Sequence, residues 1–313
     1  MNAVFGIVFP IYAVIAIGYG LVRYRWFSPR DMRVLGTYVL NVAMPALLFR
    51  AAAEREISEI FNPAYLLAYG VGSCAVFGIA CLWFRFSALT RSEGAVAVTG
   101  SSCPNSGFIG YPVMLLLFPD IAGIILALNM LLENLLLIPA CLILMEMAAG
   151  GRPGSVLRRV GSILLGVLKR PMVLGLLAGL GMSLSGFQVP PGLDRALQIF
   201  AASAAALSLV VIGGTLVDLP IGGNVLRAVQ IAFGKLVVHP AMVALAATAV
   251  IAAGMDLPPD WYVAAILSAA MPMFGIYVVL AQEQGLEQMA SVALLVTTTL
   301  GFVTLSVLLA LLA

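Results

Sequence analysis

The chain has 313 residues, of which 62% are hydrophobic and 10% charged. Soluble domains carry about 25% charged residues, and a chain this apolar cannot cover a water-facing surface, so a soluble globular protein is excluded. The net charge of +2, with no basic block interleaved with aromatics, excludes nucleic acid as a partner, and one histidine with no CxxC pair among four cysteines excludes a structural metal site.

Apolar runs separated by charges, Gly and Pro predict ten membrane spans, near 3–22, 34–50, 63–84, 93–118, 121–147, 171–187, 195–217, 225–253, 261–282 and 289–312. The first holds no charge and lacks the basic start of a signal peptide, so it is expected to stay as a helix. The second carries Asn41 and Pro45; a buried Asn at such depth bonds another helix or lines a cavity. Cys74, Cys81, Cys103 and Cys141 all lie in apolar runs and read as small packing residues.

The fourth segment is broken by Gly100-Ser101-Ser102-Cys103-Pro104-Asn105-Ser106-Gly107. Proline removes a backbone donor, and the glycine three residues later lets the chain leave helical geometry cheaply. Asn105 can donate to a carboxylate or cap a half-helix, with Ser102 and Ser106 as weaker candidates for the same cavity. The fifth segment carries Glu133, with Asn129 four residues earlier on the same face. An acid at mid-membrane costs about 2.5–3.5 kcal/mol, so Glu133 is a candidate for ion coupling or for partnering a buried base.

The link at 150–170 suggests an amphipathic helix through Val156-Leu157-Arg158-Arg159-Val160 and Ile163-Leu164-Leu165, joining residues 1–149 to residues 171–313. In the seventh segment Ser208 and Gly213-Gly214-Thr215 read as positions of close helix approach. In the eighth, Lys235 and His239 share a face before Pro240. Lys235 pairs with Glu133 or snorkels to the surface, and His239 is a candidate proton relay. The ninth segment is broken like the fourth, at Ala270-Met271-Pro272-Met273-Phe274-Gly275, with Phe274 and Tyr277 as candidates for an apolar wall.

Twelve Lys and Arg residues fall in or beside odd-numbered links and three (Arg50, Arg55 and Arg195) in the alternate ones. This asymmetry places the odd links in the cytoplasm and both termini outside. Five spans per half make the second half enter the membrane upside down, so the halves form an inverted repeat whose broken fourth and ninth helices mark the binding site. Freed backbone groups there must line a protected cavity, and the positive ends of the half-helices favour an anionic group. No hydroxyl-lined helix suggests a channel, and no nucleophile–base pair or metal motif suggests an enzyme. No cofactor is expected.

Leu40-Asn41 with Pro45-Ala46-Leu47-Leu48-Phe49, then Pro104-Asn105-Ser106-Gly107-Phe108-Ile109-Gly110-Tyr111-Pro112, then Ala270-Met271-Pro272 with Tyr277 and Ala281, resemble the auxin efflux carrier family over essentially the whole chain. The resemblance implies an all-α bacterial inner-membrane protein of ten helices, with crossed fourth and ninth helices. A scaffold would comprise helices one, two, six and seven, against which a transport part moves as an elevator. It implies small organic anions as substrates, malonate-like or auxin-like, and Asn105 matches the asparagine that contacts substrate carboxylate in the plant members. After Pro272 this chain carries Met273, Phe274 and Gly275, where family members often have a polar residue. Protons are the candidate coupling ion, and scaffold helices the candidate surface for a homodimer. The rival is a sodium-coupled symporter of the bile-acid type, which would need acids clustered at the breaks.

Overall fold

The computed structural model describes residues 2–150, 161, 165–166, 168–217, 219–220, 222 and 225–312. The amphipathic helix expected around 156–165, with Arg152, Arg158 and Arg159, lies almost wholly outside the described residues. Among those residues the chain is helical and has no strand. In chain order the helices are α1 (Asn2–Arg23), α2 (Pro29–Ala53), α3 (Ile57–Ile60), α4 (Pro63–Arg85), α5 (Arg91–Ser102), α6 (Ser106–Leu117), α7 (Ala122–Ala148), α8 (Pro171–Ser185) and α9 (Pro191–Thr215). They continue with α10 (Val225–Ala252), α11 (Pro259–Ala269), α12 (Tyr277–Gln282) and α13 (Glu287–Leu312).

Six of these, α2, α4, α7, α9, α10 and α13, are long and apolar enough to cross a membrane unaided. Helix α8 has 15 residues and is short for a span. The fourth and ninth apolar segments are each cut in two, as α5–α6 and α11–α12.

Local chemistry sets the helix ends. Proline stands at the start of α2, α4, α8, α9 and α11, where its missing N–H costs nothing. Ser28 with Asp31, and Thr90 with Glu93, form reciprocal capping boxes that satisfy the free donors of α2 and α5. Inside the bundle a second proline pattern recurs. Met44, Tyr111, Ile138 and His239 each precede a proline, and each donates its N–H to the carbonyl five residues back instead of four. The proline ring cannot tolerate the regular carbonyl at i−4, and the widened turn relieves that clash without ending the helix.

The helices pack in two groups. Helix α1 runs along α9, and α2 along α8 and α9. Helix α4 runs along α10 and α5, while α10 also contacts α11 and α13, and α5 contacts α7. Glycine permits the closest crossings, because lipid gives helices no hydrophobic drive and tight van der Waals contact must hold them. A Cβ on Gly213 of α9 would run into the Ile15 carbonyl oxygen of α1, and one on Gly72 of α4 would lie 2.5 Å from the Val243 Cα of α10. The two groups meet where α2 touches α7, α6 touches α9 and α1 touches α13. There the Tyr12 hydroxyl of α1 donates to the Thr298 carbonyl of α13 at 3.3 Å.

Candidate functional site

The site is built where the two broken segments meet. Helix α5 ends at Ser102, and the backbone turns extended at Cys103 (φ −94, ψ 112) before Pro104 and Asn105. Helix α11 ends at Ala269, and the chain passes through Met271-Pro272-Met273 before α12 begins at Tyr277. Pro104 and Met273 pair as an antiparallel bridge. The Asn105 N–H donates to the Pro272 carbonyl at 2.8 Å. Two breaks far apart in sequence therefore satisfy part of each other's backbone.

Neither new half-helix begins at its proline. Helix α6 starts at Ser106 and α12 at Tyr277. Neither Gly107 nor Gly275 takes a left-handed backbone. The breaks are made by the extended residues around each proline, and Gly107 instead admits the Met44 side chain, 3.2 Å from where its Cβ would sit.

Asn105 occupies the junction. Its Oδ1 accepts the Phe108 N–H at 3.1 Å, capping α6. Its Nδ2 is buried without a hydrogen-bond partner, although the residue is only 4% exposed. Leaving such a donor unpaired costs about 1–3 kcal/mol. Asn105 lines a cavity of about 650 Å³, which also takes in Pro104, Ser106, Phe274, Gly275 and Glu133. That volume suits a small molecule. From the junction the cavity reaches the end of the molecule bearing Arg33, Arg170, Thr215 and Pro220.

Glu133 of α7 is buried at the cavity wall, where its Oε1 accepts the Ser106 hydroxyl at 2.5 Å and the Tyr69 hydroxyl at 3.0 Å. Tyr69 belongs to a polar stripe on α4. Tyr65 donates to Asn129 Oδ1 at 2.7 Å, and Ser73 lies 3.0 Å from His239 Nε2. His239 Nδ1 is 2.9 Å from Lys235 Nζ, and Lys235 donates to the Ala269 carbonyl at 2.5 Å. Lys235 and His239 are both fully buried, so Lys235 does not snorkel to the surface. Nor do Lys235 and Glu133 form an ion pair, each having taken other partners.

The remaining expected site residues fall outside the cavity wall. Ser102 donates to its own helix at Val98. Tyr277 is fully buried, packed where Gly100 leaves room for its ring. Asn41 sits on an exposed face, while its helix contributes Leu40 and Met44 to the cavity. Pro272 takes part through its carbonyl, and Asn129 through Tyr65. Cys103 and Cys141 are free, buried thiols with sulfurs 3.5 Å apart.

Sequence reasoning did not single out Arg170, whose Nη1 donates to Asn134 Oδ1 at 2.5 Å beside Glu133. In the sequence Arg170 reads only as one of the basic residues beside the 150–170 link. Tyr65, Tyr69 and Ser73 were missed too, although polar groups at i, i+4 and i+8 in an apolar helix are a readable signal.

A family model described as "Membrane transport protein" matches residues 3–309. The chain belongs to this family, the auxin efflux carrier group. Family members with curated names agree. A Rhizobium meliloti (strain 1021) protein named "Putative malonate transporter" is 26% identical over 312 residues, covering 98% of this chain and 95% of that one. "Uncharacterized transporter YfdV" of Escherichia coli (strain K12) is 27% identical over 221 residues, 67% of this chain and 68% of that one. An "Uncharacterized transporter" of Methanothermobacter thermautotrophicus is 24% identical, covering 95% of each chain. Family membership makes the chain a multi-pass membrane transporter, not an enzyme.

Proposed function

We propose that the chain is a secondary transporter that moves small organic anions across the bacterial inner membrane by alternating access, with the substrate held at the junction of the two broken helices. The observation that carries this reading is Asn105 at the cavity wall, its Nδ2 donor buried without a hydrogen-bond partner. A buried amide donor left unpaired is energetically sensible where a ligand oxygen completes it. Arg33 and Arg170 add positive charge toward the cavity's far end. Guanidinium groups suit carboxylates, and the N-terminus of α6 adds a favourable dipole at the junction. The name of the Rhizobium relative makes malonate the first substrate to try.

In this reading residues 1–149 and 171–313 are inverted five-helix repeats, joined by a link at 150–170. Helices α1, α2, α8 and α9 form the scaffold, whose outer faces are the surface for a homodimer. The other helices carry the junction and move as an elevator, with both chain termini outside. Support comes from the way the helices divide into two packing groups. Glu133, held at the cavity wall by two hydroxyl donors, is the proton-coupling candidate.

The test is uptake into proteoliposomes of labelled mono- and dicarboxylates, malonate among them, with and without a pH gradient. Wild type is expected to accumulate at least one of them, and Asn105→Ala to lose about tenfold or more in apparent affinity, the cost of one hydrogen bond to a charged group. A folded wild type that transports no carboxylate overturns the substrate class; an Asn105→Ala variant with unchanged affinity overturns the site.

A further inference from the structure

Lys235 is the strangest residue in the molecule. It is a lysine with no exposed surface, and no carboxylate pairs with it. Burying an ammonium is costly unless something nearby carries compensating negative charge. The compensation here is a helix end. Helix α11 stops at Ala269 because the chain must run extended through Pro272 and Met273 to pair with Pro104. In a continued helix the Ala269 carbonyl would accept from the residue four positions on, which is Met273. The break removes that donor, and Lys235 Nζ takes its place at 2.5 Å. The carbonyl end of a helix carries partial negative charge, and an ammonium is the favoured group there.

The surrounding polar atoms are consistent with an ammonium. If Lys235 donates to His239 Nδ1 at 2.9 Å, the imidazole proton sits on Nε2, which then donates to the Ser73 hydroxyl 3.0 Å away. A single arrangement thus satisfies Lys235, His239 and Ser73 in a fully buried setting. Three elements, α10, α11 and α4, converge on it. The carbonyl ends of broken membrane helices are also where transporters bind coupling sodium ions.

We propose that Lys235 is a tethered cation: its ammonium fills the place at the end of α11 where a coupling sodium ion would otherwise sit, so that the carrier works without sodium. His239 and Ser73 are positioning residues that orient the ammonium. The inference rests on the transporter reading for its uptake measurements only.

The first arm compares wild-type uptake in sodium and in choline salts at equal ionic strength and pH. The expected ratio is close to one, and stimulation of several-fold by sodium overturns the proposal. The second arm uses chemical rescue. Lys235→Ala leaves a void facing the Ala269 carbonyl and His239, and is expected to lose about tenfold or more in uptake, as for removal of a buried charge-assisted hydrogen bond. Ethylammonium should restore uptake and raise the melting temperature, and ethanol, of similar size but uncharged, should do neither. Equal rescue by ethanol, or no loss in Lys235→Ala, overturns it. Should Lys235→Ala fail to fold, Lys235→Met keeps most of the volume without the charge, and wild-type uptake in that variant overturns the proposal. Melting of purified wild type in sodium against choline needs no substrate. A shift specific to sodium overturns the tethered cation even if no carboxylate is transported, a result that would instead sink the substrate assignment.

Discussion

Glu133 is the one carboxylate among the described residues that line the cavity, and its partners determine what a substitution there can report. Both hydroxyls, from Ser106 and Tyr69, donate to the same oxygen, Oε1. A Gln at this position keeps an acceptor for both and removes only the ability to carry a proton. Glu133→Gln is therefore expected to fold and to transport down a substrate gradient, while its response to an imposed pH gradient disappears. Tyr69→Phe should keep the gradient response and lose about tenfold in rate, because one donor to a buried carboxylate is gone. Uptake by Glu133→Gln that still follows the pH gradient would rule Glu133 out as the proton carrier. Asn105 and Glu133 could be found in the sequence because each is a polar residue where the apolar pattern has no room for one. Arg170 could not, since a charge beside a link reads as topology and its reach to Asn134 depends on where the start of α8 lies relative to α7. The burial of Lys235 was equally hidden. A lysine in an apolar run can snorkel or stay, and only the loose end of α11 decides between them.

At the scale of helices, Pro-x-x-Gly in two segments was enough to place both breaks. The start of α12, however, lies five residues beyond Pro272. The delay has a non-local cause: Met273 stays extended to pair with Pro104, and no property of the ninth segment alone announces that partner. The widened turns before Pro45, Pro112, Pro139 and Pro240 follow from proline sterics, and let four prolines sit within helices that remain continuous. Close approach was easier to read. Gly213 had been marked as a crossing point, and its missing Cβ is what lets α9 touch the backbone of α1. Gly213→Ala should lower the melting temperature of the detergent-solubilised protein, corresponding to about 1–3 kcal/mol of overpacking. Gly181→Ala is the control, because a Cβ there meets nothing within 4 Å. Replacing that glycine should leave melting unchanged or raise it slightly. Equal melting of the two variants would show that the α1–α9 crossing tolerates separation.

For the whole molecule, charge placement along the sequence and the direction of the cavity bear on the same question. In the proposed topology the basic residues put the connections α1–α2, α4–α5, α7–α8 and α9–α10 in the cytoplasm. The cavity reaches that same end, through Arg33, Arg170 and Thr215. At the opposite end Arg50 of α2 bonds Asp194 of α9 at 2.8 Å and Glu54 at 2.6 Å, tying the helices together. In the proposed orientation this arrangement is that of a carrier open to the cytoplasm and closed to the outside. Thr215 is exposed at the end of α9 and lines the cavity, whereas Phe187 is 77% exposed beyond the far end of α8. Each can be replaced by Cys in a background where the four native cysteines are Ala. A membrane-impermeant maleimide should then label Thr215→Cys in inside-out vesicles and not in intact cells, and Phe187→Cys in the reverse pattern. A transported carboxylate should slow labelling of Thr215→Cys, because it occupies the same cavity. Reversed labelling of both positions would invert the orientation and turn the described state into an outward-open one. Labelling of Thr215→Cys from both sides would mean that the end of α9 is not confined to one face of the membrane, and would overturn the reading of α9 as part of a fixed scaffold.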